Sequence, residues 1–322
     1  MKRILLLGLV GCARFQDPDI VVDLRVISIS SSVPDQIVDV DLTNPPPATT
    51  LLGELVPNDV CVLMADPFNQ RGLHWEMTLC ETEDYERCDG SPIQTVIGSG
   101  TIDDPDTTIP EPAMCATVFP DGNLLGVLLD TLKGDALHGL GGLDYAVQLR
   151  VGGVGGDPDL DLYASKTIKV SPRIAPQEGA NNNPYLDHID ASVDGAAPVT
   201  LPLGRCVDQT APLVVGPGLK TRLTPVEPAG VREVYVLPTI DGGHETFTES
   251  LTYQWSAANG SFSSGDTGGP RDLAGNPAVL FTDFKTPSES DLKGMTDIPI
   301  WIVQRDERLG VQWYESCLRV MP

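Results

Sequence analysis

The sequence predicts an all-β protein: two Ig-like β-sandwich domains in tandem, with one packing helix in or beside the first. Three observations predict it. Pro (28) and Gly (32) make up nearly a fifth of the 322 residues, a composition suited to short strands joined by turns. Period-two apolar alternation recurs along the chain, whereas strong helical spacing stands out in one stretch. The length allows about two domains of roughly 150 residues each, and 41% hydrophobic residues can fill their cores.

The first domain is read over 21–172, after a tether at 12–20. "VVDLRVISISSSVP" alternates as a strand, with an irregularity near Val26-Ile27. "NPPPATTL" reads as a rigid polar loop, because Pro cannot serve a central strand. "DVCVLMADP" is a second strand. "LHWEMTLC" is a third, with Leu73, Trp75, Met77 and Leu79 on one face and His74, Glu76 and Thr78 on the other. Residues 89–112 read mostly as loop. "NLLGVLLDTLKGDALHG" has leucines at helical spacing after a possible Asp121 cap, and reads as a helix closing one end of the sandwich. "LDYAVQLRV" and "LYASKTIKVSP" complete the domain.

Residues 173–200, polar and turn-rich, read as a linker, and 201–322 as the second domain. "KTRLTPV", "VREVYVLP" and "AVLFTDFKTP" are strands. "SLTYQWSAANGSFSSGD" reads as a hairpin turning at Asn259-Gly260. Leu251, Tyr253 and Trp255 share its apolar face. Residues 298–320 form a last hairpin around a charged turn.

The start of the chain gives an address. Lys2 and Arg3 precede the apolar run Ile4–Val10, which is too short to span a bilayer as a helix. Leu9-Val10-Gly11-Cys12 resembles the bacterial lipobox. Residues 1–11 are then a lipoprotein signal peptide, and Cys12 carries the lipid that anchors the protein to a membrane. Ala13 follows the cysteine, and the absence of Asp there leans toward the outer membrane.

Net charge is −24; loss of Met1–Gly11 takes Lys2 and Arg3 with it and leaves −26. Such a surface repels nucleic acid and anionic headgroups, so no nucleic-acid partner is expected; it can attract cations or a basic partner, but solubility in the envelope is the preferred reading. With Cys12 lipidated, six cysteines remain in an oxidising compartment. Fifteen pairings are possible. The preferred set is Cys80–Cys88, Cys61–Cys115 and Cys206–Cys317, the last closing the two ends of the second domain. A zinc site is disfavoured, since no C-x₂-C spacing occurs and the four histidines stand far apart.

"DLRVISISSSVP", the linker "NNNPYL", "YQWSAANGSF" and "IVQRDERLGVQWYESCLRV" together resemble a family of lipoproteins of myxobacteria and related delta-proteobacteria, with Ig-like or PKD-like β-sandwich domains. That family's usual turn is similar to "RDGRGG"; Glu307 and Leu309 depart from it. The resemblance implies location and fold, and brings no chemistry.

No G-x-S-x-G elbow, Walker motif or dinucleotide fingerprint occurs. "GGVGGDPDLD" holds one copy of the β-roll calcium pattern, which needs tandem copies. A simple calcium loop using Asp157, Asp159 and Asp161 remains as a metal candidate, because hard oxygens at alternating positions suit Ca²⁺. Otherwise no cofactor is expected. Trp75, Trp255, Trp301 and Trp313 are candidates for stacking on sugars, but strand patterning favours core packing for three of them. The leading expectation is a non-catalytic, lipid-anchored envelope protein with a structural or protein-interaction role. A glycan- or calcium-binding surface module and an envelope hydrolase without a familiar motif are the alternatives.

Overall fold

The computed structural model describes residues 17–39, 47–67, 71–81, 87–103, 108–109, 114–136, 139–173, 179–239 and 243–321. The protein is all-β in class. Its first half runs β1 (Arg25–Ser31), β2 (Asp35–Val38), α1 (Ala48–Glu54), β3 (Asn58–Ala65), β4 (Leu73–Glu81), β5 (Gln94–Ile102), β6 (Thr108–Ile109), β7 (Cys115–Val118), α2 (Gly122–Gly134), β8 (Leu143–Gly153) and β9 (Leu162–Pro172). One sheet gathers β1, β6 and β7 around β3; the other runs β2-β9-β8-β4-β5. They share a core that includes Val60, Val62, Met77, Leu149 and Ile168, closed by Leu124, Val127 and Leu128 of α2. Asp121 caps this helix by accepting from the backbone N–H groups of Asn123 and Leu124. β1 carries a register shift between Val26 and Ser28, where the sequence placed an irregularity.

The second half runs β10 (His188–Val193), β11 (Val199–Thr200), β12 (Leu213–Val215), β13 (Lys220–Val226), β14 (Val234–Pro238), β15 (His244–Thr248), β16 (Thr252–Ala257), β17 (Ser261–Phe262), β18 (Asp266–Gly268), β19 (Thr282–Lys285), β20 (Asp297–Arg305) and β21 (Val311–Val320). Two five-stranded sheets, β11-β10-β13-β19-β17 and β12-β21-β20-β16-β18, face each other, and β14-β15 stands apart as a two-stranded hairpin. Their core includes Leu223, Tyr253, Trp255, Phe284, Ile300 and Leu318.

A third apolar cluster lies between the halves. Ile27, Leu63 and Ala65 of the first half meet Trp301, Val303 and Val311 of the second, with Val21 and Ala258 in the same cluster and Trp313 packed against it. In β20, Ile298, Ile300 and Ile302 face the sandwich core while Trp301 and Val303 face the other half. β3 is covered on both sides at its end in the same way. The unbroken apolar runs "VLMA" and "IPIWIV" are therefore strands with no solvent face. Of the segment read as a tether, Asp19 and Ile20 lie against the second half: Ala257 N–H donates to Asp19 O (3.0 Å), and Val21 N–H donates to Ala257 O (2.8 Å).

Four readings of the sequence are corrected. Residues 94–102, read as loop, form β5. Its glycines hid it, and they have a steric reason. A Cβ on Gly98 would lie 2.8 Å from the Ala116 Cβ, and one on Gly100 would lie 3.1 Å from Trp75 Nε1, so the strand is stripped of side chains where the Trp75 indole lies on it. "NPPPATTL" is not all loop, since α1 begins at Ala48 directly after Pro47, a start that proline tolerates. The stretch 173–200, read as linker, contains β10 and β11, with Ile189 and Ala191 fully buried at alternating positions. The turn at Asn259-Gly260 is a corner between sheets. β17 pairs with β19 of the opposite sheet, and β18 returns to β16. Phe262 packs at a tilt against Phe284 (4.8 Å between centroids), on the side of the opposite sheet. Gly260 sits at φ +101°, where a Cβ would lie 2.5 Å from the Phe284 ring.

Trp255 is fully buried between the sheets, and its Nε1 donates to Thr267 Oγ1 at 2.9 Å. Trp255→Ala is expected to cost roughly 3–5 kcal/mol, by cavity formation and loss of buried indole area. Urea unfolding should show this as a lower midpoint at unchanged slope. A loss below about 1 kcal/mol would mean the indole is not in the core.

Candidate functional site

Physical chemistry concentrates at the junction of the halves, around the turn Arg305–Gly310. The Asp306 carboxylate organises it. Its Oδ1 accepts from the backbone N–H groups of Arg308 and Gly310, both at 2.7 Å, and its Oδ2 accepts from Asn181 Nδ2 at 3.1 Å. A Cβ on Gly310 would lie 1.9 Å from that carboxylate, so only glycine fits. Leu309 takes a left-handed φ of +78°, a conformation that favours glycine. A leucine there carries backbone strain that a glycine would not.

The three asparagines of "NNNP" tie this turn to its surroundings. Asn181, 2% exposed, also donates to the Arg308 carbonyl oxygen at 2.7 Å. Asn182 donates to Glu233 Oε1 at 2.6 Å. Asn183 joins the halves: its Nδ2 donates to the Ser31 carbonyl (2.7 Å), and its Oδ1 accepts from Val311 N–H (2.8 Å). Across the junction, Lys166 of β9 donates from Nζ to the Leu309 carbonyl oxygen. Two motifs far apart in sequence thus form one clamp.

Arg308 fills the clamp's far side. Its guanidinium meets Glu249 at 3.2 Å, Glu233 at 3.5 Å and Asp35 of the first half at 4.0 Å, and lies over the Tyr235 ring, 4.7 Å from its centroid. Glu249 has a side chain 1% exposed. Burial, reinforced by the nearby Asp306 and Glu233 carboxylates, pushes its carboxyl up to about 7, against the opposing pull of Arg308 and of the Glu233 N–H. Asp35 is also raised by burial. Tyr235 donates to Glu307 Oε1 at 2.8 Å, and burial together with that carboxylate pushes its phenol up to about 12. A cleft of 380 Å³ opens beside these groups, between Tyr235 and Leu237 of the hairpin and Asp35, Lys169 and Pro172 of the first half. Its charged groups already have partners within the protein. Asp35 accepts from Ser171 Oγ at 2.9 Å, Asp144 lies 3.6 Å from Lys169, and Glu307 accepts from Ser250 Oγ at 2.6 Å. The arrangement is built to fasten.

The residues singled out from sequence lie elsewhere. All three preferred disulfides are present: Cys61–Cys115 between β3 and β7, Cys80–Cys88, and Cys206–Cys317. Cys12 lies outside the described residues. Asp157, Asp159 and Asp161 do not converge. The Asp157 carboxylate accepts from Asp159 N–H in a short exposed turn. The Asp161 carboxylate, 2% exposed, turns inward to Arg150 at 2.8 Å and His74 at 3.2 Å. Gly152 makes room for it, since a Cβ there would lie 1.8 Å from Asp161 Oδ1. Among the described residues no group of three or more His, Cys, Asp or Glu side chains could hold a metal ion. Trp75, Trp255 and Trp301 are buried, and Trp313 is half-buried against the junction cluster. The clamp was missed because its parts, two polar loops 125 residues apart, carry no periodic signal; only the richness of "NNN" in side-chain amides hinted at it.

No family model matches the sequence, and no curated protein matches it. Among solved structures, a red sea bream transglutaminase aligns over 94% of this chain at 12% identity and a TM-score of 0.24; this chain spans 32% of it. The native conformation of E. coli alpha-2-macroglobulin aligns over 91% of this chain and 16% of its own, at 7% identity and TM-score 0.19. The D00-D0 domain of intimin aligns over 90% and 99%, at 6% identity and TM-score 0.17. None of these overlays is close enough to transfer a residue or a role.

The raised carboxyl of Glu249 fixes the sign of a pH effect. Between its ordinary value of 4.5 and about 7, the folded protein keeps a proton that the unfolded chain releases. Ionisation of Glu249 therefore withdraws stability as pH rises through that window. Glu249→Gln removes the dependence. The melting temperature of the wild type, relative to this variant, should fall from pH 5 to pH 7; a constant or rising difference contradicts the assignment.

Proposed function

We propose that this chain is a non-catalytic, lipid-anchored protein of the cell envelope that presents a stiff two-sandwich body to a protein partner. The observation that carries the reading is the double fastening of the junction, by an apolar cluster containing Trp301 and by the Asp306–Asn181–Arg308 clamp. Rigid relative placement of two sandwiches serves a scaffold or docking element, because no binding energy is spent on ordering it. Three disulfides favour an oxidising compartment, in agreement with export and with lipidation at Cys12 in the outer membrane. The burial of Trp75, Trp255 and Trp301 in cores and at the junction supports this reading over a sugar platform. The surface offered to a partner is the hairpin β14–β15, which exposes Val234 (66%), Leu237 (48%) and Phe247 (38%) beside acidic Glu245.

Two measurements test the reading. Cys12→Ser should move the protein out of the membrane fraction, and intact mass of the wild type should show acyl chains on a chain beginning at Cys12. A photo-crosslinking residue at Phe247 should capture a discrete protein adduct in intact cells, whereas the same residue at Leu160, on the exposed 154–161 turn, should not. Equal capture at both positions, or at neither, removes the docking role.

A further inference from the structure

On the other side of the same turn lies a second, different environment. A pocket of 360 Å³ is lined by Ser28 of β1, Ser165, Lys166 and Thr167 of β9, and Arg305 and Asp306 of the turn. We propose that this pocket binds a phosphate group, with Lys166 Nζ and Ser28 Oγ as its direct donors. The inference goes beyond the docking role and does not depend on it.

The balance of donors and acceptors points to an anion. Lys166 is 6% exposed and makes no ion pair among the described residues. Its ammonium carries three donors, and one of them is satisfied by the Leu309 carbonyl oxygen. Ser28, 5% exposed, has a buried hydroxyl with no hydrogen-bond partner. A buried hydroxyl and a buried ammonium left with free donors each cost folding energy, a cost that a ligand bearing acceptor oxygens would remove. Arg305 adds positive field while its guanidinium donates to Gln254 Oε1 at 2.9 Å. The pocket's two carboxylates do not compete for the donors. Asp306 accepts the three hydrogen bonds of the clamp, and Glu307 accepts from Tyr235 and Ser250. In a chain of net charge −24, two half-buried or buried cations converge here, and the nearest carboxylate, Asp306, spends its hydrogen bonds on the clamp.

The titration of Lys166 agrees with this geometry. Burial, helped by Arg305 and opposed by Asp306, lowers its ammonium to about 8. A phosphate beside it restores the charge, so binding at pH 8 takes up protons. Ser165 and Thr167 alternate with Lys166 along β9 and turn to the other face, where the Ser165 hydroxyl accepts from Gln148 Nε2 at 3.3 Å, so the direct contacts fall to Lys166 and Ser28. Free phosphate and the head of a phosphate monoester share this chemistry.

Calorimetric titration of the folded full chain with inorganic phosphate at pH 8, against chloride at matched ionic strength, tests the proposal. Saturable binding with a Kd on the order of 1 mM is expected, with heats that change between buffers of different ionisation enthalpy because protons are taken up. Ser28→Ala leaves the Lys166–Leu309 bond in place and should weaken binding roughly 10- to 100-fold, the effect of one hydrogen bond to a charged group. Lys166→Met should abolish binding and the buffer dependence; if that variant does not fold, Ser28→Ala decides. A parallel titration with glycerol phosphate distinguishes the source: binding of both forms identifies an ester head, and binding of inorganic phosphate alone identifies the free anion. Absence of saturable binding by either form in the wild type, or binding unchanged in Ser28→Ala, overturns the proposal.

Discussion

The carboxylate of Asp306 accepts three hydrogen bonds at the tip of β20–β21, and the contact between the two halves depends on the loop shape that those bonds enforce. Charge-assisted bonds to backbone N–H groups are strong and directional, so the loop has little freedom to relax. With the loop fixed, the Leu309 carbonyl points toward Lys166 and the Arg308 side chain points the opposite way, toward Glu249, Glu233 and Asp35. Asn181 and Asn183 then find their acceptors and donors at set positions. Loss of the carboxylate would leave two backbone donors without partners, each a desolvation cost of about 1–3 kcal/mol, and would leave Asn181 with only its bond to the Arg308 carbonyl. The strained φ of Leu309 is tolerated because the surrounding bonds over-determine it.

The electrostatics of the junction are lopsided on both sides of that loop. One guanidinium answers the carboxylates of Asp35, Glu233 and Glu249 on one side, while a buried ammonium held by the Leu309 carbonyl sits on the other. Burial prevents water from levelling the difference. The raised carboxyl of Glu249 and the lowered ammonium of Lys166 are opposite expressions of the same low-dielectric seam. Apolar contact around Trp301 closes the adjoining part of that seam.

Sequence reading recovered what local periodicity encodes. β1 with its bulge, β3, β4, α2 with its Asp121 cap, β8, β9 and the β20–β21 hairpin all carry strong patterns, and so does the buried face of Leu251, Tyr253 and Trp255. The disulfide partners were reached through loop closure and the placement of ends, among fifteen formal possibilities. β5 was hidden because its residues are chosen for what lies on them, the Trp75 indole, and not for strand propensity. The corner at Gly260 was mistaken for a hairpin because Asn-Gly specifies a reversal and cannot say which sheet receives the next strand. Asp161 looked like one of three calcium oxygens; only its cross-strand neighbours Arg150 and His74 reveal its task. The clamp is invisible for the same reason: its chemistry is distributed over "NNN", "RDERLG", Lys166 and Glu249, which no window contains together.

The short stretch Asp19–Val21 has a mechanical consequence. It hydrogen-bonds to Ala257 of the second half, with Val21 in the seam, before the chain enters β1 of the first. Tension applied to the amino terminus therefore reaches the second sandwich first, and the first only after passing through the seam. Peeling the first half away from its end would require unseating Val21 from between the two bodies. The load path runs through the apolar contact between the halves, so a pull on the chain start is carried by the seam before it reaches β1.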